Sequence, residues 1–375
     1  MYRRHLSAKS IKILIFKKVY QGEDLVKMNK KKRVFNAVIL TAVIALILSA
    51  FIFSGCSSNL PENKPLAAET SAAQTQTTTE STTTLQEQLP IEVTDGIGNT
   101  VKLDKPAQKV IIYSPAVLEI FSGLDAMEKV AEVDSWSVQN KEPLAEGFEG
   151  AGDVNGINFE VVTKINPDLV IVVGSSYASN SSNDFGKLAD LGFKVYMSNS
   201  VSLDGTYIEI ENIGKLIGKE EEGKALSSKL KTQVEEIYSK VKDIPEESMP
   251  TVFYMVWNDP LMSAGKNTFV NELITKAGGI NIVARDGISD WSEYSLEKLV
   301  SNNPDIIIAP MSLAANPDVI LKDNKYATIN AVTNNKVYSI PDNPISRPNQ
   351  NVIKGLSLIA MAIHPEIFGE FKIAE

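Results

Sequence analysis

The chain has 375 residues, 46 of them acidic and 37 basic, and a formal charge of −9, so it lacks the basic footprint that nucleic acid requires. Its one cysteine excludes an intrachain disulfide, an iron–sulfur cage or a cysteine-rich zinc site. Only one histidine, His364, lies beyond residue 55, and a zinc or manganese receptor needs a histidine cluster.

Near the amino end, Lys30-Lys31-Lys32-Arg33 precedes an uncharged apolar run from Val34 to Phe53 and then Ser54-Gly55-Cys56-Ser57. That is the order of a basic region, an apolar core and a small-residue cleavage site. A run of this length also suffices to span a bilayer as a permanent helix. Cys56 after Ser-Gly resembles a bacterial lipoprotein signal, in which the cysteine is lipidated and becomes the new amino terminus; Phe53 stands where leucine is usual. Residues 28–55 therefore read as a lipoprotein signal peptide, and residues 1–27 as an extension ahead of a true start at Met28. Residues 56–90, with Thr77-Thr78-Thr79-Glu80-Ser81-Thr82-Thr83-Thr84 among them, have too few large apolar side chains to fold. They read as a disordered tether with a coil span of roughly 30 Å. Removing residues 1–55 takes eleven basic and two acidic residues from totals of 37 and 46, leaving 26 and 44 and a charge of −18. So acidic a protein does not adhere electrostatically to anionic lipid, which leaves attachment to the acyl chains.

Residues 91–201 read as an amino-terminal α/β lobe. Ile91-Glu92-Val93-Thr94-Asp95-Gly96 and Asn99-Thr100-Val101-Lys102-Leu103 predict a hairpin. Val110 to Tyr113, Val170 to Val173 and Lys194 to Met197 predict buried strands, and Ser114-Pro115 opens a helix through about Leu124. Residues 202–246 read as the linking helix. Its apolar stripe is Ile208, Ile213, Leu216, Ile217, Leu226, Leu230, Val234, Ile237 and Val241, broken only near Gly218 to Gly223, so it is one long helix or two. Residues 247–375 form a carboxy-terminal α/β lobe with strands Thr251 to Val256 and Lys336 to Ile340, and helices Phe269 to Ala277 and Asn351 to Ile363.

One phrase occurs in both lobes, 137 positions apart: Asn158-Phe159-Glu160, then Asn166-Pro167-Asp168-Leu169-Val170-Ile171, and Ser295-Leu296-Glu297, then Asn303-Pro304-Asp305-Ile306-Ile307-Ile308. Asn158 and Ser295 are good N-caps, and a glutamate two positions later suits a helix start. Asn-Pro-Asp ends each helix and an apolar run suited to a buried parallel strand follows. The pattern predicts two similar α/β lobes.

These residues resemble a family. Ser114-Pro115 with Glu119, Gly152-Asp153-Val154 before Asn158-Phe159-Glu160, Leu191-Gly192-Phe193-Lys194-Val195 and Ala277-Gly278-Gly279-Ile280-Asn281 are similar, in order and spacing, to class III substrate-binding proteins of ABC importers. The resemblance implies two Rossmann-like lobes, a single long linking helix and a ligand cleft between the lobes. It implies a monomer that binds a metal chelate such as cobalamin, a ferric siderophore or haem, is no enzyme, and delivers its ligand to an ABC permease dimer with its ATPase subunits. It also places Glu160 and Glu297 on arginines of the two permease subunits. Capping alone accounts for one glutamate; two at matching places fit a two-fold partner.

For the cleft, the candidate ligand-binding residues are Trp136, Trp257, Trp291, Tyr177, Tyr254, Arg285, Asp342 and Arg347. The tryptophans read as loop positions, where flat faces suit a planar ligand; the alternative for each is core filling. By resemblance, Trp136, Trp291 and Asp342 match ligand-facing positions of cobalamin-binding members, whereas Val154 and Val173 stand where those members carry more tryptophan. Arg285 and Arg347 are the candidate cations for an anionic chelate, or else surface charges. Tyr177, Tyr254 and Tyr294 stack on the ligand or support the fold. His364 reads as structural, and no residues suggest a resident cofactor or metal. Two other functions remain open at this level: an enzyme on a related two-lobed fold, and a surface adhesin or sensor lipoprotein.

Overall fold

The computed structural model describes residues 90–153, 156–174, 184–314 and 316–373. Cys56, Val154 and Tyr177, with the signal and tether, lie outside the described residues.

The predicted hairpin forms from β1 (Ile91–Thr94) and β2 (Thr100–Leu103). The first lobe is then a parallel sheet of β3 (Val110–Tyr113), β4 (Val130–Val133), β7 (Leu169–Val173) and β8 (Val195–Ser198) in the order β4-β3-β7-β8. Between β4 and β7 lies a two-residue hairpin of β5 (Gly152–Asp153) and β6 (Gly156–Ile157). The second lobe repeats the plan with β9 (Thr251–Tyr254), β12 (Ile280–Asn281), β14 (Ile306–Pro310) and β15 (Val337–Ile340) in the order β12-β9-β14-β15, all parallel. In each lobe the first strand lies inside the sheet, between the second and the third. The strands β3 and β14 are buried throughout, as apolar runs covered on both faces must be.

The repeated phrase is the helix that feeds the third strand of each lobe. Helix Phe159–Ile165 is capped by the Asn158 side chain, which accepts from the Val161 N–H, and helix Leu296–Asn302 by Ser295, which accepts from Lys298. Each helix stops on a left-handed asparagine, Asn166 at φ 49° and Asn303 at φ 43°, a conformation asparagine tolerates better than most residues. The aspartate that follows pins the lobe together. Asp168 Oδ2 accepts from the N–H groups of Gln108 and Lys109, ahead of β3, and Asp305 Oδ2 accepts from the N–H and hydroxyl of Thr251, at the head of β9.

The linking segment is two helices, Leu203–Leu216 and Glu220–Ser239, broken at the positive-φ Gly218. Most of the predicted stripe is buried, but Ile208 is 59% exposed, and Glu209 takes its place on the inward face beside Ile210 and Ile213. The twenty-residue second helix packs on helices Phe269–Lys276 and Val352–Ile363 of the second lobe. One apolar cluster runs through both lobes, from Val110 and Phe121 to Val252 and Leu356.

Sequence periodicity missed a three-stranded antiparallel sheet in the second lobe, ordered β10 (Trp257–Asn258), β11 (Leu261–Ala264), β13 (Trp291–Glu293). Trp257 and Trp291 therefore stand on paired strands rather than in loops, opposite Met262 and Ala264.

Candidate functional site between the lobes

The strands of a parallel sheet all end on one edge, and helices and loops starting there build the binding crevice of open α/β folds. In the first lobe, β4 ends at Val133 and Asp134 caps a short helix, Ser135–Gln139. Asp134 is buried and accepts from both the N–H and the hydroxyl of Ser137; burial pushes its carboxyl above the ordinary range against those bonds. The cap turns Trp136 outward, leaving it 47% exposed. Its neighbour Ser135 fixes the next loop by accepting from Gly152, and Glu132 does so by accepting from Gly150. Gly150 has φ 96° and lies so close to Ser135 that no Cβ fits.

In the second lobe, Tyr254 ends β9 and its ring meets Trp291 edge-on, with centroids 6.3 Å apart. Trp257 is half-buried and donates its indole N–H to the Asp259 carbonyl at 2.9 Å. Asp342, just past β15, accepts from the Ser312 N–H past β14, so it ties two strand ends together.

The lobes meet on this edge through a polar cluster centred on Arg347. Its guanidinium donates to Glu119 Oε1 at 2.7 Å and to both oxygens of Glu142 at 2.6 and 3.1 Å. Asn349 and Asn351 donate to the other oxygen of Glu119, and Gln350 donates to the Glu119 carbonyl. Burial opposes the charge on Arg347, but the bonds to Glu142 and Glu119 outweigh it and push its pKa up. Arg347 is thus no free cation for a ligand: it is spent on two carboxylates of the opposite lobe and leaves the cluster net negative. Glu119 follows the carboxyl end of β3 on helix Pro115–Gly123, and Glu142 follows the Trp136 helix.

Arg285 is also placed away from the cleft. It donates to Asn302, which donates in turn to Asp286 and to the Tyr294 hydroxyl, itself a donor to Asp286. Asn302 ends a helix that runs back to the start of β14, at the amino edge of the sheet. Tyr294 is likewise taken up in that network. His364 is buried, between Glu366 and the Gly278 carbonyl, a structural setting.

Trp136 follows β4, Asp342 follows β15, and Trp291, the first residue of β13, packs on Tyr254 at the carboxyl end of β9; Tyr254 itself is only 3% exposed, so it supports Trp291 from the core rather than facing a ligand. The Glu119–Glu142–Arg347 cluster was missed as a unit, although the run Asn349-Gln350-Asn351 ahead of an apolar helix was a signal. Glu160 and Glu297 are exposed at helix starts on the same edge, and neither is in an ion pair with a described residue.

Two lobes of like topology around a cleft define a ligand receptor. Residues 110–344 match the periplasmic binding protein family, and the chain belongs to it. An ABC transporter substrate-binding lipoprotein of Bacillus subtilis is 29% identical over 328 residues, 87% of this chain and 97% of its own length. A vitamin B12-binding protein of Vibrio campbellii is 26% identical over 259 residues, 67% and 88% of the two chains. A solved structure of a possible iron-binding periplasmic solute-binding protein of Staphylococcus epidermidis superposes with a TM-score of 0.61 at 26% identity, covering 69% of this chain and all of that one. The chain is a substrate-binding protein of the ABC importer type and not an enzyme. Such proteins bind small molecules and work with permease and ATPase components.

Proposed function

We propose that this protein is the lipid-anchored, extracytoplasmic receptor of an importer for cobalamin or another corrinoid. The observation that carries the reading is the commitment of both arginines of the folded region, Arg347 to Glu119 and Glu142 and Arg285 to Asn302. Haem propionates and ferric catecholates are anionic and call for a free guanidinium. A corrinoid edged with neutral amides calls instead for aromatic faces and hydrogen-bonding groups, for which Trp136, Trp291 and Asp342 are the candidates. The similarity to a vitamin B12-binding protein supports the same ligand. Lipid attachment at Cys56 after cleavage, and a monomeric receptor, complete the proposal.

Tryptophan fluorescence titrated with cyanocobalamin, haem and a ferric catecholate tests it. Saturable quenching by cyanocobalamin alone is the expected result; quenching by haem or the catecholate alone overturns the corrinoid assignment. Trp136→Ala is expected to weaken binding about tenfold, the order of one lost stacking contact.

We also propose that Glu160 and Glu297 seat the loaded receptor on the permease. Leu296 and Val300 are exposed on the same face as each other, one turn apart beside Glu297, and add an apolar contact. A Glu160→Ala, Glu297→Ala protein that binds ligand normally should support no uptake; unchanged uptake disproves docking through this pair.

A further inference from the structure

The first N–H groups of an α-helix have no partner within it. In the first linking helix, Leu203–Leu216, the Ser202 side chain accepts from Gly205 at 3.0 Å, a cap supplied by the helix's own lobe. The Leu203 N–H is served from the other lobe: it donates to Glu272 Oε2 at 2.8 Å, from 69 positions away in sequence. Burial pushes the Glu272 carboxyl up, and the Leu203 bond opposes that push. Glu272 stands in the first turn of helix Phe269–Lys276, which Thr268 caps by accepting from Asn271. One turn further, Lys276 pairs with Glu235 at 3.3 Å and lies 4.1 Å from the centre of the Tyr238 ring, both on the second linking helix. One helix of the second lobe therefore holds both linking helices.

The Glu272 bond and the Arg347 cluster grip the first lobe at separate places. Glu142 belongs to the segment after β4 and Leu203 to the segment after β8, and these are the two outer strands of the β4-β3-β7-β8 sheet. The ends of those strands are three strand spacings apart, about 14 Å. Two bodies joined at one point turn about it in any direction; joined at two, they turn only about the line between the points. We propose that Glu272 is a positioning residue, which forms with Arg347 a two-point hinge that confines the lobes to opening and closing along one path, without sideways swing. A carboxylate suits this place, because the dipole of the helix it meets also favours negative charge at that end.

Lys164 and Ser301 are exposed at matching positions of the two repeated helices. Nitroxide labels at Lys164→Cys and Ser301→Cys, in a chain that also carries Cys56→Ser, report the separation of the lobes by pulsed electron paramagnetic resonance. The protein is measured without ligand, so the result does not depend on the corrinoid reading. Glu272→Ala is expected to broaden the distance distribution by at least about 3 Å, the length of the lost hydrogen bond. Glu272→Gln, whose amide oxygen still accepts from Leu203, should keep the wild-type width. An unchanged width in Glu272→Ala, or equal broadening in both variants, overturns the hinge. Amide hydrogen exchange on the wild type decides the matter if Glu272→Ala fails to fold: the Leu203 N–H should exchange at least about tenfold more slowly than an open amide, and exchange at the open rate overturns the proposal.

Discussion

Asn166 and Asn303 hold left-handed backbone at the stop of the two repeated helices. A β-branched residue there meets the steric penalty asparagine softens, so Asn303→Val is expected to destabilise the protein by roughly 1–2 kcal/mol, and Asn303→Gly by much less, in urea unfolding. Glu209 gives a second test at this scale. Burial pushes its carboxyl up to about 7 in the folded protein from an ordinary value of 4.5. The native state then holds a proton that the unfolded chain has released, so stability falls as pH rises from 4.5 to 7 and levels off beyond. The unfolding free energy of wild type should fall relative to Glu209→Gln between pH 5 and 8, by at most about 3 kcal/mol. A pH-independent gap would contradict it. The helical period assigned Ile208 inward because it counts apolar side chains, and the true inward residue one position on is a carboxylate.

At the level of elements, caps, strands and breaks were legible because each has a local cause. Ser114-Pro115 opens its helix, the apolar runs become β7 and β14, and the break near Gly218 divides the linker. The antiparallel sheet was not legible, since strands of two to four residues carry almost no period. Nor was the partnership of Arg347, whose carboxylates lie 228 and 205 positions away. A periodic pattern reports a face, not what it touches. Within a lobe, Asp305 joins first strand to third; Asp305→Ala leaves the Thr251 N–H without its acceptor and should cost about 1–3 kcal/mol in equilibrium unfolding.

For the molecule as a whole, the shared apolar cluster and the Arg347 cluster oppose a wide swing of the lobes. A Cβ on Gly123 would come within 2.7 Å of the Gln350 amide and displace that side chain, which shows how closely the lobes approach there. Arg347→Met strands two carboxylates and should lower stability by a few kcal/mol. It should also increase the radius of gyration of the ligand-free protein in solution scattering; an unchanged radius would show that the apolar cluster alone holds the lobes.

The two pinning aspartates have a geometrical consequence. Each fixes its glutamate-bearing helix to its own sheet, so Glu160 and Glu297 move as rigid marks on their lobes. Their separation is then a direct reading of the angle between the lobes. A partner that recognised both carboxylates would read that angle as the jaws of a caliper do, without touching the ligand.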